Sequence, residues 1–94
     1  MAHFAISHWE TDDWTDEMED IARDKYVPLI KSVGAQRVSM VRVADRSFMV
    51  VTEYADAATA EAAQAKIVEI RAQAAEEMPM KMTAAMSGEV FAAG

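Results

Sequence analysis

Gln36-Arg37-Val38-Ser39-Met40-Val41-Arg42-Val43-Ala44-Asp45-Arg46-Ser47-Phe48-Met49-Val50-Val51-Thr52-Glu53-Tyr54 is the stretch that decides how the chain folds. It reads as two strands, Gln36 to Ala44 and Ser47 to Tyr54, rich in β-branched residues and joined by a tight turn at Asp45-Arg46. With the turn centred there, Arg42 faces Met49, Met40 faces Val51 and Val38 faces Glu53. The opposite face then carries Val43 with Phe48, Val41 with Val50, Ser39 with Thr52 and Arg37 with Tyr54. Both faces are largely apolar. One layer of helices covers only one face of a sheet, so the other face calls for a second cover.

On the N-terminal side, Phe4 to Trp9 reads as a strand and Glu10 to Asp13 as a polar turn. Asp13 or Thr15 caps a helix whose first turn holds Asp16 and Glu17, where the positive end of the helix dipole favours acids. Met18, Ile21, Ala22, Val27, Leu29 and Ile30 recur at roughly helical spacing, Pro28 predicts a kink, and Gly34 suits the helix end. On the C-terminal side, Asp56 caps a second helix that runs to about Met78 and stops at Pro79. Its buried stripe, Ala60, Ala63, Ile67, Ile70 and Ala74, is mostly small and allows close approach to the sheet. Met80 to Ala85 is a fourth strand, and Gly88 is expected to bend the chain before a short tail strand at Glu89-Val90-Phe91. Strand, helix, hairpin, helix, strand is the split βαβ arrangement. Right-handed crossovers then give the spatial order 4-1-3-2, with both helices on one face.

Residues 1–94 make one domain. A chain of this size buries only roughly 60–65% of its unfolded surface. A second copy laid on the helix-free face supplies both the missing cover and the missing stability, so a homodimer is expected. Cysteine is absent, which removes disulfides and thiolate chemistry and suits a reducing cytoplasm. The start, Met1-Ala2-His3-Phe4, lacks the pattern of a signal peptide, and no stretch is apolar for long enough to span a bilayer. The net charge of −7 disfavours nucleic acid and anionic membrane as partners. Glu10, Asp12, Asp13, Asp16, Glu17, Glu19 and Asp20 crowd together, but no Asp-x-Asp-x-Asp-Gly loop shapes them into a cage, so no metal is expected.

At this point the chain resembles the dimeric α/β-barrel superfamily of ferredoxin-like α+β proteins, and within it the antibiotic-biosynthesis-monooxygenase-like domains. The likeness covers the whole chain through element order, length and hairpin placement. The run Thr52-Glu53-Tyr54-Ala55-Asp56, followed by an alanine-rich helix, is similar to the strand-to-helix junction where such domains place an aromatic at the pocket. The resemblance implies a small-molecule enzyme that works without a cofactor on an apolar or aromatic substrate. Haem-degrading members carry a histidine ligand on the second helix. Here that region reads Ala62-Ala63-Gln64-Ala65, which speaks against haem.

The candidate pocket residues follow from these readings. His8 shares a strand face with Phe4 and Ile6 and is the one histidine away from the terminus. Tyr54 could donate a phenolic hydrogen bond, with Thr52 and Ser39 beside it on the face assigned to the helices. Trp9 and Trp14 flank the acidic turn and could wall a ligand pocket. No paired acid and base is identifiable, and no phosphate loop or nucleophile elbow is present. Two functions from different classes stay open: a cofactor-independent oxygenase, and a non-catalytic dimeric module that binds a small ligand or a protein partner.

Overall fold

The computed structural model describes residues 1–94. Its elements are β1 (His3–Thr11), α1 (Asp16–Ile21), a π-helical segment (Ala22–Tyr26), α2 (Val27–Ser32), β2 (Arg37–Ala44), β3 (Ser47–Tyr54), α3 (Ala57–Glu77) and β4 (Met80–Glu89). The strands form one antiparallel sheet in the order β2-β3-β1-β4, as the sequence predicts. The helices pack on one face around Trp9, Tyr26, Phe48, Tyr54 and Ile67, giving the expected α+β ferredoxin-like architecture.

Local chemistry sets the helix ends. Thr15 is the cap of α1, its hydroxyl accepting the Met18 N–H at 3.1 Å. Asp56 caps α3 by accepting both the N–H and the hydroxyl of Thr59, at 2.8 and 2.7 Å. Pro28 lies in the first turn of α2, where its missing N–H does least harm. The expected kink becomes one wide turn just before it, in which the Val27 N–H donates to the carbonyl of Ala22. Gly34 ends the helix with φ of 120°, a backbone conformation open to glycine. At the other terminus the structure corrects the sequence reading. Gly88 does not bend the chain; β4 runs unbroken through it opposite Phe4, and the Val90 N–H reaches the carbonyl of Ala2 at 2.9 Å.

A second correction is larger. The hairpin pairs Ala44 with Ser47, but then Arg42 with Phe48, Met40 with Val50 and Val38 with Thr52, because Val43 is an extra, bulged residue. No non-glycine residue has positive φ, so the Asp45-Arg46 loop is not the type I′ turn that matches strand twist without help. A bulge restores the twist locally and shifts the register by one. Every residue of β2 beyond it therefore lies on the face opposite to the one expected. Met40 points under the helices, while Ser39 and Val41 lie on the open face.

The π segment is tied to the far end of α3. Tyr26, with a fully buried side chain, donates its hydroxyl to Glu77 at 2.6 Å, and Lys25 reaches the same carboxylate oxygen at 2.7 Å. Lys25 first, then Tyr26, hold the Glu77 carboxyl below the usual carboxylate range. A depressed carboxyl contributes stability that is complete at neutral pH and lost as pH falls through its folded-state value. Glu77→Ala is thus expected to lower the melting temperature by a few degrees at pH 7. The difference from wild type should shrink below the ordinary carboxylate range, as scanning calorimetry at both pH values will show.

Candidate functional site

A cavity of about 50 Å³ lies between the sheet and the helices. Its floor is laid by alternate residues of three strands: Ala5, Ser7 and Trp9 from β1, Phe48, Val50, Thr52 and Tyr54 from β3, and Met40 from β2. Its roof comes from Tyr26 and Ile30 on one side and from Ile67, Ile70, Arg71 and Ala74 of α3 on the other. The small residues on the buried stripe of α3 leave this space unfilled.

A wider groove of about 450 Å³ adjoins the cavity, lined by Trp14, Glu19, Arg23 and Arg42 among others. The two share Ala22, Met40, Phe48 and Met78 in their walls, so the groove is the mouth and the cavity the inner chamber of one elongated pocket. Two of the four partition residues are methionines, whose unbranched side chains yield to a ligand at low cost. Chamber and mouth together reach the size of an ordinary small-molecule site, which the chamber alone does not.

Polar groups in the chamber are few. Ser7 is buried, and its Oγ accepts the indole N–H of Trp9 at 2.8 Å while keeping its own O–H. Tyr54 is only 2% exposed, and burial raises its phenol pKa against the opposing pull of Arg71. It therefore stays protonated through neutral pH and can donate. Arg71 is half-buried, and desolvation lowers its pKa, with Tyr54 acting the other way. A guanidinium nevertheless remains a cation at any physiological pH. None of the four ion pairs in the molecule includes it. The chamber thus pairs a protonated phenol with an uncompensated positive charge in apolar surroundings. Such a pair stabilises an oxyanion. No carboxylate or imidazole lines the chamber, so no side chain there is a strong base.

Of the residues singled out in the sequence, Tyr54 and Thr52 line the chamber, and Trp14 lines its mouth. His8 and Ser39 do not belong to the pocket. Ser7 and Trp9 face the helices, so alternation sends Phe4, Ile6 and His8 to the open face, where His8 Nδ1 meets Thr83 Oγ1 at 2.8 Å. Ser39 was carried to the open face by the bulge at Val43 and is exposed there. The sequence reading missed Arg71, although its position was informative. It stands four residues after Ile67 and three before Ala74, a lone cation on the edge of an apolar stripe.

No family model matches the chain, and no curated protein matches it. Solved structures do. The likeness inferred from the sequence holds at the level of fold. SnoaB from Streptomyces nogalater, a cofactor-independent oxygenase, superposes with a TM-score of 0.74 at 12% identity, covering 98% of this chain and 95% of that one. HapK from Hahella chejuensis gives 0.72 at 18% identity over the same shares. The structural-genomics protein YJCS gives 0.68 at 11% identity, over 96% and 99%. No helix is long and apolar enough to cross a membrane.

Proposed function

We propose that the protein is a cofactor-independent oxygenase acting on a planar, apolar aromatic substrate that ionises readily to an enolate or phenolate. The observation that carries this reading is the unpaired Arg71 beside the protonated Tyr54 in an apolar chamber. A half-buried charge with no partner is unfavourable unless a ligand supplies the counter-charge. Since the chamber offers no strong base, the proton must leave on account of the substrate's own acidity. Arg71 and Tyr54 favour the ionised form by holding its oxygen. An electron-rich anion of this kind reduces oxygen directly. For anthrone, the ring CH2 becomes a carbonyl, one oxygen atom enters the product and the other leaves as water. The fold shared with SnoaB supports the reading.

The working form is a homodimer joined through the helix-free face, with residence in a reducing cytoplasm. What supports the dimer is that face itself: Val41 and Val43 are 47% and 48% exposed and Met86 is 61% exposed, around the half-buried Ile6, Met49 and Val51. An uncovered apolar surface of that kind marks an interface.

The test is oxygen uptake with anthrone. Wild-type protein is expected to consume oxygen well above spontaneous autoxidation and to yield anthraquinone, with Tyr54→Phe slower by about tenfold. Uptake no faster than autoxidation defeats the proposal. Tight binding without turnover favours the second reading, a ligand-binding module, which the lack of an acid–base pair in the chamber also suits.

A further inference from the structure

The mouth of the pocket holds a second guanidinium without a counter-charge. Arg42 sits over the Trp14 ring, its guanidinium carbon 4.2 Å from the ring centroid. Its Nη2 donates to the carbonyl of Asp45 at 2.8 Å and its Nε to that of Ala44 at 3.4 Å. Trp14 is fixed in turn, its N–H donating to Glu19 at 2.5 Å and its ring meeting Phe48 edge-on at 5.7 Å. The stack and the two carbonyls hold Arg42 in place and leave its Nη1 hydrogens free. No carboxylate pairs with it, in a chain where sixteen acids face nine Lys or Arg. The other mouth cation, Arg23, is taken by Asp20 at 2.8 Å and Asp24 at 3.1 Å. Glu19, the one acid lining the mouth, is engaged by Trp14.

Each end of the pocket therefore presents one uncompensated guanidinium, with apolar walls between. We infer that the ligand is an elongated aromatic acid whose carboxylate stays at the mouth on Arg42 while its enol or phenol oxygen reaches Arg71 and Tyr54 in the chamber. This inference rests on the oxygenase reading of the chamber and specifies its substrate class. A planar guanidinium with an unused edge matches a carboxylate. A phosphate dianion fits worse, because a single cation faces its two charges and Glu19, which also opposes a carboxylate, repels a dianion about twice as strongly.

The probes are anthraquinone-2-carboxylate and its neutral carboxamide, matched in shape, with binding followed by calorimetry. Wild-type protein is expected to bind the carboxylate about tenfold more tightly than the carboxamide. Arg42→Gln should equalise the two by weakening the carboxylate alone. Arg37→Gln, on the open face, should leave the preference intact. Equal affinity for both probes in wild type, binding of neither, or a preference that survives Arg42→Gln overturns the inference. The two readings separate cleanly. A carboxylate preference without anthrone-dependent oxygen uptake upholds the ligand class and defeats the oxygenase. Uptake without the preference does the reverse.

Discussion

Val51→Asp is expected to convert the proposed dimer, at twice the 10.4 kDa of one chain, into a monomer at micromolar concentration. Val51 sits in the middle of the open face, in a row that runs Ser39, Val51, Ile6, Met86 across the four strands. An aspartate there must give up its hydration when a second sheet closes over it, which costs several kcal/mol with no partner to offset it (about 3–5 on the usual scale for an uncompensated buried charge). A two-fold interface doubles the penalty, because each copy brings the same residue, and near the axis the two charges face each other. The side chain points away from the helices, so the chamber should survive in the monomer. Sedimentation or light scattering measures the mass, and the chamber can be followed with the anthraquinone probes. A wild-type mass of one chain contradicts the dimer before any variant is made. Met40→Asp provides the contrast. Met40 lies beneath the helices and lines the chamber, so an aspartate there should unfold the protein instead of dissociating it.

That contrast also marks where sequence reading stops. Strand order, the cap at Asp56 and the single helical layer were legible because each rests on local chemistry or a long periodic pattern, while the first cap was narrowed only to Asp13 or Thr15, of which the structure uses Thr15. The faces were not. Side chains alternate with a period of two, so one extra residue at Val43 turns the rest of β2 over, carrying Ser39 out of the pocket and Met40 into it. Nothing in Val-Ala-Asp-Arg-Ser announces a bulge, since valine is as acceptable in a regular strand as in a bulged one. In β1 the pattern itself misled. Phe4 and Ile6 are more apolar than Ala5 and Ser7, yet the latter pair faces the core and the former pair faces outward. A strand meant to be covered on both sides carries no one-sided signal, and His8 was assigned with its neighbours. Tyr54 and Thr52 lie on the helix side, where the likeness of the strand-to-helix junction put them, in a strand that alternates half-buried with buried residues along its whole length.

Arg71→Met will separate what the residue does for function from what it does to stability. Methionine has similar length and no charge, so it removes an unpaired, half-buried cation from an apolar chamber and fills much the same volume. The melting temperature is expected to rise by a few degrees, since replacing an uncompensated charge with a well-packed apolar group usually stabilises. The proposed oxygenase activity should suffer heavily. Arg71 is the one cation lining the chamber and Tyr54 the one phenol free there to donate to a developing oxyanion, beside the weaker hydroxyls of Ser7 and Thr52. Losing the one charged donor in a water-poor site lowers turnover by about 10²–10³-fold. The loss should depend on pH in a diagnostic direction. Without the guanidinium the bound substrate's acidic proton has a higher pKa, so the variant should recover part of its rate as pH rises, beyond any rise seen in wild type. Arg71→Lys keeps the charge without the planar fork and should fall between the two. A stabilised variant that turns over anthrone at the wild-type rate, with an unchanged pH profile, removes Arg71 from the chemistry. A variant that is both destabilised and inactive points to a packing role for the arginine, and the near-wild-type pH profile of whatever activity remains would identify it as such.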